Sequence, residues 1–136
     1  MKRRMREPIE RYYDNVHHGL LIGEGGYADV RKVIRKSDGK VFACKQLRSG
    51  TSCPKTRKLL LQEGEILMSL DHPNIVKAVD LFQNRDEVYL VMELCEGGDL
   101  GTKFQLVVNN DIVLPDEAVQ VLVKQMLSAV TYMHRM

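Results

Sequence analysis

The sequence predicts an α+β fold in which a small antiparallel sheet carrying one helix is followed by a helical second part. Two observations lead to this prediction. Three short apolar runs precede one segment with helical spacing and two follow it, and turn residues separate these runs. Beyond the Gly-Gly pair at residues 97–98, the apolar residues recur at helical spacing.

Composition excludes several other classes of protein. The chain has 136 residues, of which 44% are hydrophobic and 28% charged, as in ordinary globular domains. Its net charge is +2 at pH 7, so charge gives no reason to expect a nucleic-acid partner. The longest apolar run is far too short for a membrane span. No apolar segment follows the basic N-terminus, as it would in a secretory signal.

The cysteines indicate a reducing compartment. Cys44, Cys53 and Cys95 are odd in number, form no C-x-x-C pair and lie at no zinc-ligand spacing from a histidine. We therefore expect free thiols, an intracellular, cytoplasmic protein and no metal site among these residues.

Residues 1–15 are predicted to be a basic N-terminal tail. The first eleven residues carry five basic and two acidic side chains. A solvated tail is the simpler interpretation of such a charge run, and a docking role has no further support.

Five strands are predicted, at residues 19–22, 30–35, 40–47, 75–82 and 88–92. Asp38-Gly39 favours a hairpin turn between the second and third strands, because Asp-Gly readily adopts the positive φ that such turns need. The period of two in the third strand places Ala43 and Lys45 on one face.

Helical spacing of apolar residues predicts helices at residues 54–70 and 115–136. The first should end at Asp71-His72-Pro73, since proline disfavours helical geometry in the residue before it. Pro115 and the acidic residues after it suit the start of the second. Residues 100–108 are ambiguous, with a short helix as one interpretation.

The glycine cluster at residues 23–30, GEGGYADV, is a candidate phosphate-binding loop. Glycines let the backbone approach a phosphate closely and adopt left-handed geometry, although a tight hairpin turn would have a similar sequence. A dinucleotide-binding loop would need a helix after the glycines and an acidic residue about 20 positions later. A β pattern follows instead, and no Asp or Glu occurs between Asp38 and Glu63.

Lys45 and Glu63 are candidates for an ion pair between a strand and a helix. Lys45 shares a face with apolar residues, and Glu63 lies inside an apolar helical stripe. Pairing would relieve the cost of burying either charge. At a sheet edge, both side chains would instead extend to water. The glycine cluster upstream favours the pair, because a lysine aimed at phosphates needs a partner that holds it.

The segment at residues 92–99 is a candidate nucleotide contact. An extended segment after a strand leaves backbone groups free to meet an adenine edge, and Asp99 would accept hydrogen bonds from ribose hydroxyls. The alternative is a plain linker in which Asp99 caps the next helix.

Taken in order, these motifs resemble the protein kinase family. Residues 22–30 (IGEGGYADV) resemble its glycine loop, residues 42–45 (FACK) its V-A-I-K strand, and residues 62–67 (QEGEIL) its regulatory helix. The turn after that helix, the hinge and the helix before the catalytic loop are similar to residues 71–76, 89–100 and 124–134. The last two are most similar to calcium- and calmodulin-dependent serine/threonine kinases.

The resemblance implies a kinase N-lobe, with a five-stranded antiparallel sheet and one regulatory helix, followed by the first C-lobe helices. The implied division is a tail at 1–15, the N-lobe at 16–92, a hinge at 93–99 and the truncated C-lobe at 100–136. It also implies ATP, Mg²⁺ and a protein substrate.

Each site residue has an implied role. Lys45 would contact the α- and β-phosphates and be fixed by Glu63. Val30 and Ala43 would pack on the adenine, Met92 would control access behind it, and Asp99 would meet the ribose. The remaining implied nucleotide contacts are the loop residues Ile22, Gly23, Glu24, Gly25, Gly26, Tyr27 and Ala28, and the hinge residues Glu93 and Cys95.

Two residues depart from the family pattern. Ala28 replaces the third glycine of the loop, where a Cβ makes any positive φ cost about 1–2 kcal/mol. Gly64 weakens its helix by about 1 kcal/mol relative to alanine, which we expect to make helix placement easier to regulate.

The catalytic H-R-D and metal-binding D-F-G segments do not occur in residues 1–136. We therefore expect the ATP-binding N-terminal part of a serine/threonine kinase that transfers no phosphoryl group by itself. The alternatives are a naturally short, non-catalytic kinase-like binding module and a calcium or metal sensor. No EF-hand pattern supports the sensor.

Overall fold

The computed structural model describes residues 2–48 and 50–136. The chain forms two compact units. The first contains the described residues up to Asp71 together with Val76–Leu94, and the second contains His72–Ile75 and Cys95–Met136.

The first unit is built on one sheet of seven strands with a helix against it. The strands are β1 (Lys2–Met5), β2 (Tyr13–Asp14), β3 (Leu21–Glu24), β4 (Ala28–Arg35), β5 (Val41–Leu47), β6 (Ala78–Gln83) and β7 (Val88–Glu93). The helices are α1 (Pro54–Ser69) in the first unit, and α2 (Leu100–Val108) and α3 (Asp116–Arg135) in the second.

The strands lie in the order β1-β6-β7-β5-β4-β2, and β3 also pairs with β4. The predicted α+β class and kinase-like N-lobe are confirmed. The five predicted strands correspond to β3–β7, all paired antiparallel. Two further strands come from the N-terminal segment, and β1 pairs parallel to β6.

Local signals account for most of the observed boundaries. Gly39 has a φ of +70° in the turn between β4 and β5, as Asp-Gly predicts. Helix α1 has Pro54 at its first position and ends at Ser69, before the Asp-His-Pro turn. The ambiguous segment at 100–108 is a helix. Strand β3 begins at Leu21 and continues through Gly23, two residues later than predicted.

The N-terminal segment differs from the solvated tail that its charge predicts. Residues 2–14 form β1, a 3-10 helix at Ile9–Arg11, and β2. Ile9 is 0% exposed and Tyr13 1%. A charge count cannot anticipate this arrangement, because the two apolar anchors show no periodicity and the partners of β1 lie far along the chain.

Apolar side chains fill both faces of the sheet in the first unit. The outer cluster consists of Ile9, Tyr13, Val16, Val33, Cys44, Phe82, Tyr89 and Val91. The inner cluster lies under α1 and consists of Leu60, Ala78, Leu81, Val88 and Leu90. Alternation along β5 places Cys44 in the outer cluster, so its neighbours Ala43 and Lys45 face the other way.

Gly64 allows α1 to pack closely against the sheet. A Cβ built at Gly64 would lie 2.8 Å and 3.1 Å from the two methyl carbons of Leu81 and 3.4 Å from a methyl of Leu90. Gly64 and Leu81 are both buried. The glycine that weakens the helix as an isolated element is therefore required by its packing.

In the second unit, the His72–Ile75 segment contacts α3. His72 Nε2 lies 3.0 Å from Ser128 Oγ, and its ring centroid lies 5.2 Å from that of Tyr132. Large apolar side chains along α3 are exposed, including Val123 and Met126 at 46% each. No helix in the described part of the chain has the length and apolar character needed to cross a membrane.

We expect Gly64→Ala to destabilise the chain by about 1 kcal/mol. Helix propensity favours alanine by about 1 kcal/mol, but overpacking a closed core costs about 1–3 kcal/mol. Urea unfolding measures the difference. In a Leu81→Ala background the added methyl has room, so the same substitution should cost nothing or stabilise. Stabilisation in the wild-type background would contradict the packing argument.

Candidate functional site

An ion pair between β5 and α1 lies at the centre of the candidate site. Lys45 Nζ donates hydrogen bonds to both carboxylate oxygens of Glu63, each at 2.8 Å. The side chains are 21% and 33% exposed, respectively. Strand β5 lies between β4 and β7, so Lys45 is not at a sheet edge. The alternative of two side chains extending to water from an edge is therefore wrong.

Partial burial makes this pair a constraint on the fold. A charge removed from water without a partner is costly, and charge-assisted hydrogen bonds offset that cost. Because the pair joins the sheet to α1, Lys45 stays paired only while α1 remains against the sheet.

The glycine loop connects β3 to β4 in the same unit. Its closing hydrogen bond runs from Gly25 N–H to Ala28 O at 2.7 Å. Among the described glycines, only Gly39, Gly50 and Gly98 have positive φ. The left-handed geometry expected of the loop glycines is therefore absent from this conformation. Ala28 is buried, has no positive φ and begins β4, so it carries none of the strain anticipated for it.

Tyr27 connects the loop to the ion pair. Its hydroxyl donates to Glu63 Oε2 at 3.4 Å, and Lys45 Nζ lies 5.6 Å from the centroid of its ring. The loop, the strand lysine and the helix glutamate are thus brought together in one unit.

Arg48 and Thr51, which follow β5, hold the loop through hydrogen bonds. Sequence reasoning missed both residues. Arg48 donates to Asp29 Oδ1 and to Gly25 O, each at 2.9 Å. The Tyr27 carbonyl accepts from Arg48 N–H at 3.0 Å and from Thr51 Oγ1 at 2.7 Å. The sequence did offer one indication of Arg48, because it is a basic residue directly after β5, and β5 pairs with the strand that contains Asp29.

Sheet register brings the predicted adenine-side residues onto the face of Lys45. Val30 lies opposite Lys45 across β4 and β5, and Ala43 lies opposite Met92 across β5 and β7. Directly opposed residues project to the same face. Of the other loop residues, Ile22 is 40% exposed beside a bulge in β3 and Glu24 pairs with Asp29. A Cβ added at Gly26 would meet open space.

Glu93 ends β7 and interacts with Lys77. Its N–H donates to Lys77 O at 3.0 Å, and its carboxylate accepts from Lys77 N–H at 3.0 Å. The backbone N–H of Glu93 is therefore already used within the first unit.

Cys95 and Asp99 belong to the second unit. Cys95 is exposed. Asp99 is the N-cap of α2 and accepts from Thr102 N–H at 2.7 Å and from Thr102 Oγ1 at 2.9 Å. These hydrogen bonds, led by the one from the backbone, lower the pKa of the Asp99 carboxyl. Asp99 therefore caps α2, and its ribose contact stays a prediction.

Within residues 2–48 and 50–136, no group of three or more His, Cys, Asp or Glu side chains is arranged to hold a metal ion.

The sheet with its single helix and the paired lysine and glutamate define a kinase-type lobe. The model of the protein kinase domain family matches residues 16–136. The chain belongs to the protein kinase family.

The curated relatives of this chain include serine/threonine kinases. The chain is 35% identical over 119 residues to the cell cycle serine/threonine-protein kinase CDC5/MSD2 of Saccharomyces cerevisiae, a match covering 87% of this chain and 16% of that protein. It is 40% identical over 101 residues to the serine/threonine-protein kinase Nek2 of Homo sapiens, covering 68% and 23%. A testis-specific serine/threonine-protein kinase 3 of Mus musculus is 35% identical, with 85% and 42% covered. The chain thus spans less than half the length of each of these relatives.

We expect the thiol of Cys44 to resist alkylation in the folded chain. Burial raises its pKa to about 12, whereas Cys53 and Cys95 are exposed. Treatment with iodoacetamide at pH 8, followed by peptide mass spectrometry, should label Cys53 and Cys95 first. Cys44 should react only in denaturant, which serves as the control.

The experiment also tests which face Lys45 occupies. A register slip of one residue would turn Cys44 toward the ion pair and Lys45 into the outer cluster. Labelling of Cys44 at the rate of Cys53 under native conditions would contradict the register.

Proposed function

We propose that this chain is the ATP-binding part of a serine/threonine protein kinase. In the whole protein, the γ-phosphoryl group of ATP would pass to a serine or threonine hydroxyl of a protein substrate. The observation that carries the proposal is the Lys45–Glu63 pair, with both hydrogen bonds at 2.8 Å, beside the glycine loop.

Lys45 is proposed to contact the α- and β-phosphates. Phosphoryl transfer depends on positioning and on charge stabilisation. An ammonium held by Glu63 is placed before the nucleotide arrives and costs little reorganisation when it does. Backbone groups of Gly23, Gly25 and Ala28 are proposed to line the loop over the phosphates, with Tyr27 near its tip.

The adenine is proposed to pack on the face shared by Val30, Ala43 and Met92. Their common orientation supports this placement. Since Glu93 N–H donates to Lys77 O, the proposed adenine contact of Glu93 uses its carbonyl oxygen. The remaining proposed contacts rest on the resemblance, and they involve Ile22, Glu24, Gly26, Cys95 and Asp99.

Mg²⁺ would neutralise charge on the phosphates when bound. The resemblance assigns its ligands to the D-F-G segment and the catalytic loop, which residues 1–136 do not include. Within this chain, the group proposed to neutralise negative charge on the phosphates is therefore the Lys45 ammonium.

The proposed class is that of the serine/threonine kinases. The comparisons do not support the narrower calcium- and calmodulin-dependent group, which stays a prediction. They also do not favour the short non-catalytic module. A cytoplasmic location remains our proposal, and the three free cysteines agree with a reducing compartment.

We expect Lys45→Met to weaken ATP binding by about 10- to 100-fold, since a hydrogen bond to a charged group contributes about 1.5–3 kcal/mol. Titration of the 136-residue chain with a fluorescent ATP analogue measures the affinity. In a longer chain carrying the rest of the family domain, the same substitution should abolish phosphoryl transfer to a protein.

Lys58→Met is the matched control. Lys58 lies on the exposed side of α1, so the same change of residue type removes a charge away from the ion pair. Lys58→Met should bind the analogue as the wild type does. Equal affinity of wild type and Lys45→Met would rule out the proposed role of Lys45.

A further inference from the structure

We propose that residues 2–14, which precede the match to the kinase family, hold α1 where Glu63 meets Lys45, and that Arg3 is a positioning residue in this contact. The predicted effect on nucleotide affinity rests on the function proposed above, whereas the predicted effect on the position of α1 does not.

Strand β1 is fixed to the edge of the sheet next to the strands that support α1. It pairs parallel with β6, with Arg3 opposite Leu81 and Arg4 opposite Phe82. Arg6 N–H donates to Gln83 O at 2.9 Å and extends the pairing by one residue. Without β1, β6 would be an edge strand with unpaired backbone groups.

Arg3 projects to the face of the sheet that carries α1. Its register partner Leu81 belongs to the inner cluster under that helix. The Arg3 guanidinium donates to Glu65 at 2.8 Å and to Gln83 Oε1 at 2.9 Å. Glu65 lies on α1 two residues beyond Glu63, so Arg3 joins β1 to the segment of the helix that supplies the site carboxylate.

Arg4 anchors the same strand on the opposite face. Its guanidinium carbon lies 3.8 Å from the centroid of the Tyr12 ring, and its Nε lies 3.4 Å from Asp80 Oδ1. The Tyr13 hydroxyl donates to Asp80 Oδ2 at 2.5 Å. Asp80 is 7% exposed, and its side-chain partners named here both come from the N-terminal segment.

Burial keeps the segment in place. Ile9 and Tyr13 are part of the outer cluster, together with Phe82 and Val91. Fully burying such side chains contributes about 1.5–3 kcal/mol each. The exposed Arg3–Glu65 pair contributes little to overall stability by comparison. Because β1 is already held in the sheet, the role of this ion pair is to fix the position of α1 relative to β1.

A charge exchange tests the positioning role. Arg3→Glu, Glu65→Arg and the double variant are made in the 136-residue chain, and amide hydrogen exchange is followed along α1. Each single variant should speed exchange around Glu65 by about two- to fivefold, the range that an exposed ion pair supports. The double variant should restore the wild-type rate, because the opposite charges meet again.

Arg11→Glu is the matched control, since it makes the same charge change in the same segment, at an exposed residue of the 3-10 helix and outside β1. It should leave exchange in α1 unchanged. A positioning role also requires that amides of β4 and β5, which measure the stability of the whole unit, keep their rates in the single variants. Unchanged exchange in α1 of Arg3→Glu, or equal acceleration throughout the unit, would overturn the proposal.

Affinity for the fluorescent ATP analogue gives a second readout. Both single variants should weaken binding by about the factor measured in exchange, and the double variant should recover it. If the wild-type chain binds no analogue, the proposed function fails while the exchange result still decides the role of Arg3. If α1 responds but affinity does not, the link from α1 to the nucleotide is overturned.

Discussion

The ion pair between Lys45 and Glu63 is the constraint on which the arrangement of the first unit depends. Lys45 lies on an interior strand and is only 21% exposed, so its ammonium cannot extend freely to water. A carboxylate must reach it from another element, and α1 is the element that provides one. The close approach of the helix at Gly64 and the hydrogen bond from Tyr27 to Glu63 accompany this pairing.

Gly64 illustrates how packing can outweigh helix propensity. Considered within the helix, glycine next to the key glutamate is a weak point. In the fold, the missing Cβ lets the helix approach Leu81 closely enough for Glu63 to reach Lys45. The sequence contains the glycine but not the position of Leu81, which belongs to a strand beyond the helix. The low helix propensity of Gly64 was therefore predictable from the sequence, but its packing against Leu81 was not.

Sequence reasoning predicted the features that depend on neighbouring residues and missed those that depend on contacts between distant parts of the chain. Alternation along β5 is a local signal and placed Lys45 on the face of Ala43. The Asp-Gly pair is also a local signal and predicted the turn before β5. Strands β1 and β2 depend on contacts with β6 and β4, so only a charge run was visible. Arg48 was missed for a related reason, because its partners, Asp29 and the Gly25 carbonyl, lie on the preceding strand and loop.

One short strand, β1, connects the outer cluster to the helix that carries Glu63. Successive residues of a strand project to opposite faces, so Arg4 contacts buried Asp80 on one face while Arg3 contacts α1 on the other. Loss of the outer contacts would free β1 from the sheet edge and release Arg3 from Glu65. Under the proposed positioning role, the burial of Ile9 and Tyr13 supports the placement of Glu63 through β1. In this unit, a residue outside the family match therefore contacts the helix that carries Glu63.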